Sequence, residues 1–185
     1  PTAPSRPATP EDDLTDWASG QTFAITGASS GIGKATAIEL AQRGGTVVLI
    51  CRDPERGRAS LREVDVEASG ARPRLVLADL SSLASVRALA DEIRQMHSDV
   101  RVLINNAGVA LSERTLTVDS FETTFAVNYL APFLLTRLLL DTLLANAPAR
   151  VVNVGSERQA RRLDFDNLQG ERRYSLINAY AASKL

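Results

Sequence analysis

Thr22-Phe23-Ala24-Ile25-Thr26-Gly27-Ala28-Ser29-Ser30-Gly31-Ile32-Gly33 is the stretch on which the fold turns. Its first five residues form a short β-prone run, and a helical pattern follows over residues 33–43. Between them, glycines permit a tight turn and let backbone N–H groups approach an anion, which the positive end of the next helix also attracts. Gly27, Ser29, Ser30, Gly31, Ile32 and Gly33 are therefore candidate binding residues for a dinucleotide pyrophosphate. An ordinary glycine-rich βα connection would contain the same residues. The strand before and the helix after supply the context that favours a dinucleotide.

The same texture repeats downstream. Runs at 46–51, 74–78, 100–105 and 150–154 are near-continuously apolar, as strands buried on both faces should be. Helical segments fall at 54–68, at 83–97 and over a long stretch from about 118 to 144. Gly44-Gly45 and Gly70 read as helix stops, and Ser81 or Ser82 as an N-cap before Leu83. Repeated β–α–β order predicts an α/β fold, a doubly wound parallel sheet of Rossmann type with right-handed crossovers. Such sheets bind ligands beyond the carboxyl ends of their strands.

Composition narrows the function. The chain has 185 residues, enough for one domain with a real core. A net charge of −1 gives no electrostatic footprint for nucleic acid or for an anionic membrane. Cys51 and His97 are each the only residue of their type, so an ordinary zinc site is a poor expectation and no intrachain disulfide can form. His97, at the end of a helical segment, reads as a solvated C-terminal histidine rather than a member of a triad. A reducing, cytoplasmic setting fits the lone cysteine. Residues 1–16 are proline-rich and acidic, and read as a disordered tail, with 17–185 as the folded domain. The apolar stretch 129–144 is interrupted by Pro132, Arg137 and Asp141; it reads as a buried helix, too short for a membrane span.

Chemistry-bearing residues cluster near the strand ends and toward the C-terminus. Tyr180 and Lys184 are four apart, which on a helix puts phenol and ammonium on one face. A tyrosine is a poor base at neutral pH, and a neighbouring cation favours its phenolate. Any helix can carry such a pair on its surface, so the spacing alone does not decide. Ser156 follows the fifth strand and could donate to a substrate carbonyl oxygen as charge develops there, or could simply be a turn serine. Pro132 has no N–H to give to the carbonyl of Asn128 four residues earlier, which predicts a kink and an acceptor free of its usual partner. Asp79 ends the third strand, where an N-cap-like turn role competes with a ligand role. At the end of the second strand, neutral Cys51 stands where an acidic residue would meet a ribose 2′-hydroxyl, and Arg52 follows. An arginine fork there suits a 2′-phosphate and favours NADP(H) over NAD(H), unless Asp53 pairs with it.

The spacing Thr26-Gly27-x-x-x-Gly31-x-Gly33 resembles the short-chain dehydrogenase/reductase family. So do Asp79-Leu80, Asn105-Asn106-Ala107-Gly108, Asn128, Ser156 and Tyr180-Ala181-Ala182-Ser183-Lys184, in the family's order. The stretches Ile50-Cys51-Arg52-Asp53 and Asn167-Leu168-Gln169-Gly170-Glu171 look most like its retinol-dehydrogenase-like branch. The resemblance implies an oxidoreductase passing hydride between NADP(H) and a small carbonyl or alcohol. Tyr180 would exchange the proton, Lys184 would donate to the nicotinamide ribose, Ser156 would hold the substrate oxygen and the Asn128 carbonyl would hold a relay water. It also implies Asp79 and Leu80 at the adenine, and Asn106, Ala107 and Gly108 along the cofactor. Self-association through the 118–144 helix is a further implication. Family members continue past the lysine through two more strands, so the chain is expected to be C-terminally incomplete. A non-catalytic dinucleotide sensor and an interaction module are the alternatives; cofactor titration separates the second from the enzyme.

Overall fold

The computed structural model describes residues 16–185; the tail expected over 1–16 lies, but for Asp16, outside the described residues. Five strands, β1 (Thr22–Thr26), β2 (Thr46–Cys51), β3 (Arg74–Leu77), β4 (Val100–Asn105) and β5 (Arg150–Asn153), form one parallel sheet in the order β3-β2-β1-β4-β5. The order reverses between β1 and β4, and that switch point is where an open α/β sheet forms its ligand crevice. The strand reading therefore holds, with β3 and β5 each one residue shorter than expected.

Burial on both faces hides a period of two that the apolar runs themselves do not display. Ala24, Val48, Ile50 and Leu103 point into one core, with Val86, Leu89, Ile93, Leu135 and Leu139. Phe23, Ile25, Val47, Leu49 and Cys51 point into the other, with Ala37, Leu40 and Val64. The second core is roofed by α1 (Gly31–Gln42) and α2 (Pro54–Glu67), the first by α3 (Leu83–Met96) and the long helix that follows β4. Ser82 is the N-cap of α3, its hydroxyl accepting from the N–H of Ser85.

That long helix differs from its expected form. It begins at Thr123, not near Val118, because the buried carboxylate of Glu122 accepts from the N–H groups of Thr124 and Phe125 and so fixes the first turn. It runs as α4 (Thr123–Phe125), a π turn (Ala126–Leu130) and α5 (Ala131–Ala145). The π turn lies immediately before Pro132, and the N–H of Ala131 reaches back five residues to the carbonyl of Ala126. Proline's missing donor is thus accommodated by a wider turn. At 23 residues the helix Thr123–Ala145 has the length and apolarity of a membrane span, contrary to the reading of 129–144 as too short. Its Ala131, Leu135, Leu139 and Leu143 stripe nevertheless packs as a core helix does, against α3 and the sheet.

His97 also departs from expectation. It ends α3 but is only 8% exposed, and its Nδ1 lies 3.1 Å from a guanidinium nitrogen of Arg74. The β3 strand brings Arg74 across the end of α3, a long-range placement that helix periodicity does not reveal. Burial, then the Arg74 charge, hold the imidazole below its ordinary pKa of 6.5.

Candidate functional site

At the carboxyl end of β1, Thr26 joins the glycine-rich turn to the loop after β4. Its hydroxyl accepts from the N–H groups of Asn106 and Ala107, both at 3.0 Å. The Asn106 amide donates in return to the carbonyls of Thr26 and Gly27, at 2.9 and 3.4 Å. These bonds leave no room for side chains at two glycines. A Cβ on Gly27 would stand 2.9 Å from Cα of Ala107, and one on Gly33 would stand 2.5 Å from the carbonyl oxygen of Gly27 and closer still to Asn106. Gly31 is different. Its φ is +55°, and nothing lies within 4 Å of where its Cβ would be, so the open space there faces away from protein.

These features fit a nucleotide pyrophosphate. Ser30, the N-cap of α1, makes no side-chain capping bond, so the first-turn N–H groups of α1 are left to another acceptor. Gly27, Ser29 and Ser30 line one cleft together with Arg52, Asp79 and Leu80. Asn106, Ala107 and Gly108 form its opposite wall. Of the expected cofactor residues, Gly31, Ile32 and Gly33 do not line it; Gly33 is buried packing, while Ile32 is 69% exposed.

The end of β2 differs from its expected form. Cys51 does not face the cleft but the α1/α2 core, where burial pushes its thiol up to about 11. Ile50, Arg52 and Asp53 line the cleft, as does Arg56, which the sequence reading missed. Asp53 caps α2, its carboxylate accepting from the N–H of Arg56 at 2.8 Å. Among the described residues no ion pair joins Asp53 to Arg52. The signal for Arg56 was present in Asp53-Pro54, which sets the helix start and so puts position 56 in the first turn, beside the cleft mouth. Asp79 keeps its turn role: one carboxylate oxygen accepts from the N–H and the hydroxyl of Ser81 at 2.9 and 2.8 Å, while the residue also lines the cleft.

Beyond Gly108 lies a second cleft, lined by Asn128, Pro132, Ser183 and Lys184. Asn128 is 8% exposed, and its side chain acts as a brace. Its oxygen accepts from the N–H of Val109 at 2.8 Å, and its amide donates to the Val109 carbonyl and to the Ser183 hydroxyl, both at 2.9 Å. Ser183 passes the connection on, donating to the carbonyl of Tyr180 at 2.8 Å. Ser183 too was missed, although it stands within the Tyr180–Lys184 motif.

Tyr180 and Lys184 belong to α6 (Leu176–Ser183) and its C-cap, with Ser175 as N-cap. The Lys184 ammonium donates to the carbonyl of Val154 at 2.9 Å and lies 6.0 Å from the centre of the Tyr180 ring. Tyr180 and Ser156 line neither cleft, and the Ser156 hydroxyl accepts from the N–H of Arg158, the turn-serine geometry. Asn128, Ser183, Lys184 and Gly108 are thus brought together, whereas the Ser156 hydroxyl is engaged in its own turn.

Residues 21–185 match the family model described as short chain dehydrogenase. Human retinol dehydrogenase 13 is 45% identical over 168 residues, covering 90% of this chain and 51% of that protein. Human retinol dehydrogenase 12 is 44% identical over 167 residues, covering 90% and 53%. The chain spans about half the length of these curated relatives. Among solved structures, an uncharacterized protein from Mycobacterium paratuberculosis aligns with a TM-score of 0.76 at 39% identity, over 90% of this chain and 58% of the other. A metagenomic short-chain oxidoreductase in complex with NADP aligns with a TM-score of 0.71 at 34% identity, over 90% and 71%.

Proposed function

Because the chain belongs to the short-chain dehydrogenase family, in its retinol-dehydrogenase-like branch, we propose that it serves hydride exchange between NADP(H) and a carbonyl/alcohol pair. The observation that carries this reading is that the two clefts share Ala107, and that beside it the lysine ammonium lies 3.5 Å from where a Cβ would stand on Gly108, a residue of the nucleotide crevice. A nicotinamide dinucleotide bound in that crevice would supply or accept the hydride. The uncapped start of α1, with Gly27, Ser29 and Ser30, would hold its pyrophosphate. Arg52, which forms no ion pair among the described residues, and Arg56 one turn away would take a 2′-phosphate. The NADP complex among the similar structures supports the same cofactor.

Tyr180 would exchange the hydroxyl proton of the substrate, and Lys184 would stabilise charge on the phenol oxygen while donating to a ribose hydroxyl. Ser156 would turn from the N–H of Arg158 to donate to the substrate oxygen; the 3.1 Å bond it leaves is an ordinary one. The Asn128 carbonyl, deprived of a donor by Pro132, would hold a water between Lys184 and solvent. The retinol dehydrogenase relatives support an alcohol–aldehyde pair as the substrate class. The face of the long helix outside the core carries Phe125, Tyr129 and Phe133 in a stack with centroid separations of 5.3 and 6.5 Å, which supports association with a second copy.

The test is Tyr180→Phe in the full-length protein, with NADPH oxidation followed across a panel of aldehydes and ketones. Turnover should fall by about a hundredfold or more while NADPH affinity stays near the wild-type value. Near-normal kcat in the phenylalanine variant would move the proton-transfer role elsewhere.

A further inference from the structure

The segment between Ser156 and α6 is not a free loop. Gln169 is bound on both sides: its side-chain oxygen accepts from the backbone N–H of Glu122 at 3.1 Å, and its main-chain oxygen accepts from Nε of Arg114 at 2.8 Å. Five residues on, the Tyr174 hydroxyl donates to the carbonyl of Leu111 at 3.0 Å, with Oε1 of Glu122 3.4 Å away. Gly170, at φ +66°, lies against the Tyr174 ring so closely that a Cβ there would come within 2.8 Å of it. Asn167 closes the segment on itself, donating to the carbonyl of Arg173 and accepting from the N–H of Arg172, both at 2.9 Å. Two of these attachments, from the Gln169 side chain and the Tyr174 hydroxyl, reach one buried residue, Glu122, 1% exposed, whose carboxylate also starts the long helix.

Tyr174 immediately precedes Ser175, the N-cap of α6. An eight-residue helix is too short to hold itself in place, so its position is set by its attachments. At its C-terminal end these are the Asn128–Ser183 bond and the Lys184–Val154 bond. In its middle α4 packs against it and the N–H of Ala160 donates to the carbonyl of Ala181 at 2.9 Å, and at its N-terminal end Tyr174 holds the chain that enters it.

We infer that Tyr174, held by Leu111 and by the Glu122 that Gln169 braces, is a positioning residue for α6: it sets where the helix begins and hence where Tyr180 stands. The inference rests on the function proposed above but extends it to a strap of chain with no place in the catalytic set. Tyr174 touches neither cleft that would hold cofactor or lysine.

Two variants of the full-length protein, Tyr174→Phe and Gln169→Ala, test this. Each removes one or two hydrogen bonds and keeps the packing nearly intact, so folded protein is expected. Amide hydrogen exchange in residues 176–184 should quicken by about tenfold while exchange in α1 is unchanged. Turnover, normalised to NADPH-binding sites, should fall by a similar factor with NADPH affinity within about twofold of wild type. Unchanged exchange in α6, or affinity lost in step with turnover, would overturn the assignment. If the wild-type protein reduces no carbonyl, the proposed function fails, and the exchange measurement still decides the clamp.

Discussion

The ammonium of Lys184 lies 3.5 Å from the point where a Cβ would stand on Gly108, and Oδ1 of Asn128 is equally near that point. Gly108 is thus the window between the nucleotide crevice and the lysine. An added methyl meets ordinary contact distances there, whereas a branched side chain would have to displace the ammonium or fill the crevice. Gly108→Ala should fold with near wild-type stability and keep cofactor binding. Gly108→Leu should cost about 1–3 kcal/mol of binding or stability through overpacking. Thermal melts and NADPH titration of the two variants read the difference; equal behaviour would place the lysine farther from the crevice than its contacts indicate.

Arg52→Ala should weaken NADPH much more than NADH. A charge-assisted contact to a phosphate is worth about 1.5–3 kcal/mol, so roughly tenfold or more in NADPH affinity is expected, against at most about twofold for NADH. Titration of both cofactors in one buffer measures this. Equal losses would remove Arg52 from the 2′-phosphate.

His97 gives a pH dependence of stability. Its folded pKa is held below 6.5, so the unfolded chain binds the proton more readily. Stability from this group is therefore complete above pH 6.5 and is lost as pH falls below it toward the folded value. His97→Gln keeps an acceptor near Arg74 without titrating in that range. Urea midpoints should fall more steeply for wild type than for the variant as pH is lowered below about 6.5. Parallel curves would show that the imidazole titrates freely in the folded protein.

Much of the architecture was legible in the chain because the sheet is buried on both faces. Near-continuous apolar runs marked β1, β2 and β4 to the residue, since strands covered on both faces carry few polar side chains. Where the expectation failed, the deciding contact was distant in sequence. His97 is covered by Arg74, and Cys51 is turned into the core by strand alternation that a wholly apolar run conceals. The start of the long helix was misplaced because Glu122 looks like any surface acid until the strap around Gln169 and Tyr174 buries it. Most of the residues that line the cleft at the switch point were legible for the opposite reason. Glycines and short polar residues at strand ends have few structural uses, and the sheet order gathers them at one switch point. Arg56 and Ser183 were passed over because each looks like an ordinary helical residue until its neighbours are known.

Thr26 has one more consequence. Its hydroxyl and carbonyl splice the turn after β1 to the loop after β4, so three hydrogen bonds hold the two walls of the crevice together there. A molecule as long as a dinucleotide cannot enter by parting those walls. It must slide in lengthwise from an open side, past the arginines at the rim of α2 or from the side on which α6 lies. Exchange of spent for fresh cofactor would then be paced by whatever closes over those sides, rather than by any breathing of the crevice itself.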